Sequence, residues 1–342
     1  MKKLLAITLT LLLLVFAFTS CTEEAPENNT PIENENVEQI PEAEPERLVA
    51  EKTRVTALKG PTGMGMAKLI SDADAKYELE ISSAPADVQA ALISKTVDIA
   101  AIPTNVASVL YNKTQGAIKV LAINTEGVLY ILDSTDTVKS VEDLRGKTIG
   151  ATGQGSTPEY ILRYILTENG IDPDKDVTLN FYTEHAELAT LMATGEIEIG
   201  MLPEPNVTTT MTKNDKLVKA LDLTEEWKKI APDSALVQGC IVARTEFIEQ
   251  YPDSIKDFLK EYSESVEYIT TAEDAPDVIA SLGIVPAAAV AKKALPNCHI
   301  CYYDSNLGLS EKLSGFLEVL YSFNPAAVGG TLPDAAFYYE NK

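Results

Sequence analysis

A sequence pattern that occurs twice, one hundred residues apart, most constrains how this chain can fold. Residues 91–105 read ALISKTVDIAAIPTN, and residues 191–205 read LMATGEIEIGMLPEP. In both copies a helix-like run leads through a polar link into a short apolar strand, which stops at Pro103 or Pro203. Two copies of one α/β unit predict two similar lobes, with a cleft between the ends of their strands.

The repeat continues upstream in both copies. A strand-like run ends at Ser83 in the first copy and at Thr183 in the second, and a helix-like run follows each of them. Further upstream, each copy has a strand followed by a glycine-rich turn, at residues 60–65 and 153–157. Strands that alternate with helices predict a mostly parallel sheet, and right-handed crossovers bring these turns to its carboxyl edge. Because ligands bind at that edge in open α/β sheets, the turns are candidates for a binding site.

Two extended apolar passages predict the crossings between the lobes. Residues 127–132 lead into the second copy of the repeat, and residues 235–243 lead back from it. We therefore expect residues 52–128 and 240–342 to form one lobe and residues 129–239 to form the other. The last third of the chain reads as helices without glycine-rich turns, so we expect it to cover the sheet of the first lobe.

The first 20 residues have the pattern of a secretory signal. Two lysines precede an apolar run, residues 4–18, that is too short to span a bilayer. The run ends in Phe-Thr-Ser before Cys21, which resembles a bacterial lipoprotein signal in which the cysteine becomes the lipid-modified N-terminus. An ordinary signal peptide with an incidental cysteine is the alternative.

Residues 21–51 are predicted to form an acidic, disordered tether. From Thr22 onward this segment has ten glutamates, one arginine and no aromatic residue, so it can bury too little apolar surface to offset the cost of ordering. An acidic interaction tail is the alternative. The whole chain has a formal net charge of −23, and the part after the tether is also acidic. This charge argues against nucleic acid and against a bare anionic membrane as partners.

These features together resemble the solute-binding proteins of ABC importers, in the family named for thiamine-pyrimidine synthesis and aliphatic-sulfonate uptake. Besides the lipoprotein start, the resemblance is carried by residues 60–65, 91–103, 141–147, 153–159 and 197–205. It implies an α/β fold of the type II periplasmic-binding class, in which two α/β lobes joined by two crossing segments close around a ligand. It also implies a lipid-anchored, extracytoplasmic monomer without a cofactor, which delivers a small solute to the permease and ATPase subunits of an importer.

Candidate ligand contacts lie in the turns at the predicted carboxyl edges. Glycine-rich turns let backbone N–H groups approach ligand oxygens, although the glycines could instead serve only to make tight turns. The candidates are Gly60, Pro61, Thr62, Gly63, Met64, Ser83, Thr104, Asn105, Gly153, Gln154, Gly155, Ser156, Thr157, His185, Glu204, Pro205 and Gln238.

Asn105 and Glu204 follow the two repeated prolines, so we expect them to face each other across the cleft, with helix capping as the alternative. Ser156 and Glu159 have the spacing of a capping box. The candidate turns contain neither Lys nor Arg, and a multiply charged anion would therefore lack a bidentate clamp. A sulfonate, a neutral heterocycle or a zwitterion fits better, with Glu204 accepting a hydrogen bond from an amine or a ring N–H.

Enzymes of the same fold are the competing class, since the chain also resembles pyrimidine synthases of thiamine biosynthesis and a dehydratase of menaquinone synthesis. Such enzymes would lack the export signal and the tether. His185 is a lone histidine at the predicted rim, and the sequence from Cys298 to Cys301 has no second cysteine pair. We therefore predict no catalytic residue and no metal site, and Cys298 and Cys301 fit buried thiols or a local disulfide. A purely structural surface lipoprotein would not require two matched glycine-rich turns.

Overall fold

The structure is a computed structural model that describes residues 46–72 and 76–341. The predicted signal, Cys21 and most of the predicted tether lie outside these residues. The strands of the described part are β1 (Thr53–Leu58), β2 (Tyr77–Ser82), β3 (Ile99–Pro103), β4 (Ile118–Thr125), β5 (Leu129–Asp133), β6 (Thr148–Thr152), β7 (Thr178–Tyr182), β8 (Ile199–Pro203), β9 (Val218–Asp222), β10 (Gly239–Arg244) and β11 (Ile300–Tyr303).

The strands form two sheets, with the order β11-β4-β10-β3-β1-β2 in the first and β7-β6-β8-β5-β9 in the second. In the first sheet β1 pairs in parallel with β2 and β3, while β10 runs antiparallel to β3 and β4. In the second sheet β6 pairs in parallel with β7 and β8, while β5 runs antiparallel to β8 and β9. The predicted α/β class with two sheets is confirmed.

The two apolar passages predicted as crossings form β5 and β10. Each passage enters a sheet as an antiparallel strand between strands that run the other way. This arrangement follows from chain order, because β5 comes directly after the last strand of the first copy and β10 comes after the last strand of the second. The prediction of mostly parallel sheets therefore needs correction at these two strands and at β11, which also pairs antiparallel with β4.

Helices connect the strands and cover both sheets. Proline occupies the first turn of several of them, where its missing N–H costs no hydrogen bond. The helices are α1 (Pro61–Gly65), α2 (Ala67–Ser71), α3 (Pro85–Ile93), α4 (Thr104–Thr114), α5 (Thr157–Glu168), α6 (His185–Thr194), α7 (Asn206–Lys213), α8 (Leu223–Ile230), α9 (Thr245–Gln250), α10 (Pro252–Thr271), α11 (Ala275–Ser281), α12 (Ala288–Ala294) and α13 (Leu309–Phe323).

The last third of the chain covers more than the first sheet. Helix α10 packs its apolar face, including Phe258 and Tyr262, against the first sheet as predicted. Helix α12, however, contacts α7 of the second half, where we call residues 129–239 the second half and residues 52–128 with 240–342 the first half. Phe316 of α13 lies against Trp227 of α8, with ring centroids 5.3 Å apart. The prediction was incomplete because spacing along a helix shows that it has a buried face but not which element covers that face.

The end of the predicted tether is bonded to the folded part of the chain. Arg47 forms an ion pair of 2.7 Å with Asp257 of α10. The N–H of Leu48 donates to the carboxylate of Asp253 at 2.7 Å, and the N–H of Ala50 donates to a hydroxyl of the same helix at 2.8 Å. Residues 47–50 therefore belong with α10, contrary to the expectation of disorder as far as Glu51. Among the described residues no helix is long and apolar enough to cross a membrane.

Candidate functional site

One edge of the first sheet collects several strand ends and turns. The carboxyl ends of β3 and β4 lie beside the amino end of β10, because Gly239 is in register with both Pro103 and Thr125. The turn that starts α1 reaches the same place, since a Cβ on Gly239 would lie 3.4 Å from the methyl group of Thr62. The predicted meeting of turns at a carboxyl edge thus occurs in the first sheet.

Four buried polar residues stand at this edge, and we call them the polar cluster: Thr104, Asn124, Thr125 and Gln238. The backbones of three of them are linked by hydrogen bonds. The N–H of Thr104 donates to the carbonyl of Gln238 at 3.2 Å, and the N–H of Gln238 donates to the carbonyl of Thr125 at 3.0 Å. The exposed fractions are 0% for Thr104 and Asn124, 2% for Thr125 and 9% for Gln238.

The side chains of the polar cluster lack hydrogen-bond partners within the described residues. The unpartnered atoms are Thr104 Oγ1, Asn124 Oδ1, Asn124 Nδ2, Thr125 Oγ1 and Gln238 Nε2. Buried polar atoms in folded proteins almost always have a partner, and a concentration of exceptions calls for an explanation. A hydrogen-bonding ligand at this edge would supply the missing partners.

The sequence pattern predicts two of the four residues of the polar cluster. Thr104 and Gln238 were among the predicted ligand contacts, but Asn124 and Thr125 were not. A usable signal was present, because Asn124 and Thr125 end an apolar strand as a polar pair, in the same way that Thr104 and Asn105 follow Pro103.

Asn105 links the two halves of the chain instead of facing Glu204. Its Oδ1 accepts a hydrogen bond from the hydroxyl of Thr157, at the start of α5, at 2.9 Å. Its Nδ2 donates to the carbonyl of Ala327 at 3.2 Å, and the side chain is only 1% exposed. Two predicted site residues from different halves, Asn105 and Thr157, are therefore in direct contact.

Glu204 is fully buried, and its contacts lie within the second half of the chain. Its carboxylate accepts hydrogen bonds from the backbone and the hydroxyl of Thr208 at 3.0 and 3.1 Å, as a cap on the first turn of α7. Lys219 of β9 places its Nζ 3.0 Å from Glu204 and 4.3 Å from the ring centroid of Tyr130. Of the two predictions for Glu204, helix capping is therefore the one that the structure has. Pro205 is buried beside Glu204. Lys219, which neutralises the Glu204 carboxylate, lies outside the predicted turns.

The second glycine-rich turn is held by its own residues. Gly153 and Gly155 have φ values of +77° and +71°, which favour glycine. The N–H of Gly155 donates to Glu159 at 2.7 Å, and the hydroxyl of Ser156 donates to the carbonyl of Gly153 at 2.8 Å. The predicted capping box is therefore wrong in detail, because Glu159 bonds one residue too early and Ser156 does not cap the helix. Gln154 is exposed.

The first glycine-rich turn is mainly a packing feature. Gly60 precedes Pro61 at the start of α1, and a Cβ on Gly63 would lie 2.8 Å from the carbonyl oxygen of Leu58. Met64 is fully buried, with its sulfur 3.9 Å from Cys298 Sγ. Gly63 and Met64 therefore hold α1 against the sheet and the last third of the chain, and Thr62 is the residue of this turn that lies beside Gly239.

The remaining candidates have other surroundings. Ser83 lies on an exposed turn after β2. His185 has its Nδ1 2.6 Å from the hydroxyl of Thr152, and burial lowers its pKa to about 4, so the ring is neutral at pH 7. Cys298 and Cys301 are free thiols, and burial raises the pKa of both. The sequence left open whether these cysteines are buried thiols or a local disulfide, and in the structure they are thiols.

Comparison with protein families identifies the class of the chain. Residues 66–295 match the family model described as the ABC transporter, phosphonate, periplasmic substrate-binding protein. This chain belongs to that family. None of the curated proteins matches it. The predicted membership among ABC solute-binding proteins is confirmed, and the matching model is named for phosphonate.

Solved structures of other binding proteins share the fold. An ABC transporter protein from Parabacteroides distasonis is 24% identical with a TM-score of 0.72, and the alignment covers 86% of this chain and 100% of that one. The periplasmic aliphatic sulphonate binding protein SsuA from Escherichia coli is 16% identical with a TM-score of 0.66, covering 85% and 92%. The alkanesulfonate-binding protein SsuA from Xanthomonas axonopodis pv. citri, bound to MOPS, is 14% identical with a TM-score of 0.59, covering 84% and 96%.

Family membership decides between the two functional classes. Members of this family are extracytoplasmic substrate-binding components, which deliver small solutes to a transporter permease. This ABC binding protein is accordingly not an enzyme, as predicted.

Proposed function

We propose that this binding protein captures a small organic solute between the carboxyl edges of its two sheets and closes around it. The proposed lobes are residues 52–128 with 240–342, and residues 129–239. The observation that carries the proposal is the buried, unpartnered polar cluster in the first sheet. The direct bond from Thr157 to Asn105 supports closure, because it joins helices that start at the edges of different sheets.

A second contact between the halves supports the same motion. The hydroxyl of Tyr130, on β5, lies 3.4 Å from the carbonyl oxygen of Asn297, which precedes β11 of the first sheet. A ligand favours a closed form only by contacts that the open form lacks, so residues from both sheets must take part. We propose that a monomer performs this cycle.

The solute classes that we propose are a sulfonate, a neutral heterocycle or a zwitterion. The family name suggests a phosphonate as another candidate, and a phosphonate would need a cation at the site. Lys219 is a cation on the second sheet, but it already forms an ion pair with the fully buried Glu204. A doubly charged ligand would have to compete with that carboxylate, which favours solutes of lower charge.

Substituting Thr157 with valine is expected to open the ligand-free protein. The change removes the hydroxyl that bonds Asn105 across the halves, and one such bond is worth roughly 1 kcal/mol, or about a fivefold shift in the population of the closed form. Solution scattering should record a larger radius of gyration. Thr167→Val, on the exposed face of the same helix, is the matched control and should leave scattering unchanged. Identical curves for the two variants would contradict the proposed closure.

We also propose that residues 1–20 are removed and that Cys21 carries the lipid anchor. The supporting pattern is the apolar run that ends in Phe-Thr-Ser before Cys21. Mass spectrometry of protein produced with its own leader should give a chain that begins at Cys21 and carries added lipid mass. Cys21→Ala should abolish both processing and partition into detergent. A cleaved chain with an unmodified mass would support the ordinary signal peptide.

A further inference from the structure

We propose that the polar cluster recognises a neutral solute in which an N–H donor stands beside a C=O or ring-nitrogen acceptor, as in ring amides and ureides. This inference rests on the proposed function, because it names the solute class for the same cleft. It assigns the central contact to Asn124, with Thr104, Thr125 and Gln238 around it.

Asn124 determines the pattern that the solute must match. Its side chain is fully buried, and neither Oδ1 nor Nδ2 has a partner within the described residues. A carboxamide presents one acceptor and one donor group side by side, whichever way its two ends are assigned. Its complement is an edge with a donor next to an acceptor, which is how asparagine recognises the edge of a base by two hydrogen bonds.

The other members of the polar cluster can form further hydrogen bonds with a solute, and none of them carries a charge. Thr104 and Thr125 can donate or accept through their hydroxyls, and the free Nε2 of Gln238 donates. An anion without a donor would place its oxygens against the acceptor of Asn124 in a set that contains no cation. Burial of a charge is costly without a paired countercharge, and a neutral solute avoids this cost.

Gly239 leaves room for the Asn124 carboxamide. A Cβ at Gly239 would lie 3.5 Å from the Cβ of Thr125, which is an ordinary contact. The same Cβ would lie only 2.6 Å from Asn124 Oδ1, which is too close. The carboxamide therefore occupies space that a side chain on β10 would fill. The backbone at this edge is shaped around the two unpartnered groups.

The first test needs no ligand. Replacing Asn124 with leucine in the full-length protein removes two unpartnered buried groups, so the Tm is expected to stay the same or to rise. The matched control is Asn112→Leu on α4, where the carboxamide donates to the carbonyls of Val328 and Thr331 at 2.8 and 2.7 Å. This control should lower the Tm. A fall in Tm for Asn124→Leu as large as that of the control would overturn the proposal.

The second test measures binding to the full-length protein by calorimetry. The probes are uracil and hydantoin, which carry the required edge, and 1,3-dimethyluracil, which keeps the ring but lacks N–H donors. We expect binding of uracil or hydantoin and none of the dimethyl compound. Asn124→Leu should weaken binding by about tenfold to a hundredfold, since a bidentate pair has that value. The nearly isosteric Thr125→Val should weaken it by about fivefold even if the leucine variant does not fold.

Two outcomes would overturn the solute class. One is that neither uracil nor hydantoin binds the unmodified protein. The other is that methylphosphonate or ethanesulfonate binds, with an affinity that Asn124→Leu and Thr125→Val leave unchanged. The second result would leave the proposed capture of a solute intact, whereas the scattering comparison with Thr157→Val tests capture by closure separately.

Discussion

Replacing Asp98 with alanine is expected to lower the free energy of unfolding by about 2–3 kcal/mol, because it leaves the partly exposed guanidinium groups of Arg54 and Arg244 without the buried carboxylate that they share. Asp98 is 2% exposed and lies just before β3. Its Oδ1 accepts from Arg54 and from Arg244, each at 2.6 Å, and its Oδ2 accepts from the Nε of Arg54 at 2.9 Å. The carboxylate thus joins β1, β3 and β10 at the edge opposite the polar cluster, so solute binding should survive in the folded fraction.

The internal repeat supplies a matched control for this variant. Glu198 occupies the position of Asp98 in the second copy, but its side chain is exposed. Glu198→Ala should therefore change the free energy of unfolding by less than about 0.5 kcal/mol. Chemical denaturation of both variants measures the difference, and equal losses would contradict the role assigned to the arginines.

The effect of the Asp98 variant should also depend on pH. Burial alone would raise the pKa of Asp98, but the hydrogen bonds from Arg54 and Arg244 hold it below its usual value. A carboxyl group whose pKa is lower in the folded state contributes its stability above its unfolded pKa, and that contribution disappears as the pH falls through the folded pKa. The difference between Asp98→Ala and the unmodified protein should be full at pH 7 and shrink below about pH 4.

Trp227→Ala is expected to cost about 3–5 kcal/mol of stability, because it removes a fully buried aromatic side chain. The ring centroid of Trp227 lies 5.0 Å from that of Tyr164 on α5 and 5.3 Å from that of Phe316 on α13. Its Nε1 donates to the carbonyl of Ser234 at 3.0 Å. The variant should therefore also loosen α13 from the second half of the chain.

Two comparisons make the Trp227 result specific. Trp227→Phe keeps an aromatic ring in the same place and should cost clearly less than alanine. Phe323→Ala, at the less buried end of α13, should also cost less. Denaturation followed by circular dichroism suits all three variants, since Trp227 is the only tryptophan of the chain and its fluorescence is lost with it. A loss below 1 kcal/mol for alanine would show that α13 is held mainly by other contacts.

The sequence predicted the elements of this fold better than their mutual contacts. The repeat at residues 91–105 and 191–205 predicted both sheets, because local periodicity and proline positions record which segments form strands and helices. The direction of β5 and β10 within the sheets was not predictable in the same way. Strand direction follows from the path of the whole chain, which no local pattern contains.

The site was predicted in part for a similar reason. Asn105 and Glu204 follow matching prolines, yet Asn105 bonds Thr157 while Glu204 pairs with Lys219. Neighbouring positions after the two matching strands thus acquire different partners, since the residues opposite them come from distant parts of the chain. At Asn124 the sequence does contain a local pattern, a polar pair at the end of an apolar strand. Only the structure shows that the Asn124 carboxamide is buried without a hydrogen-bond partner, which makes it a candidate for ligand binding.

The unpartnered atoms beside Gly239 also bear on how often a transporter meets an empty carrier. Each buried polar group without a partner costs about 1–3 kcal/mol, and the polar cluster contains several of them. A closed form without solute carries this cost, whereas water can satisfy the same groups when the edges separate. Each 1.4 kcal/mol reduces the population of the empty closed form about tenfold relative to the solute-bound one, while the bond from Thr157 to Asn105 keeps part of the empty protein closed. A permease that engages only closed carriers would then hydrolyse ATP less often on a carrier that brings nothing than on a loaded one.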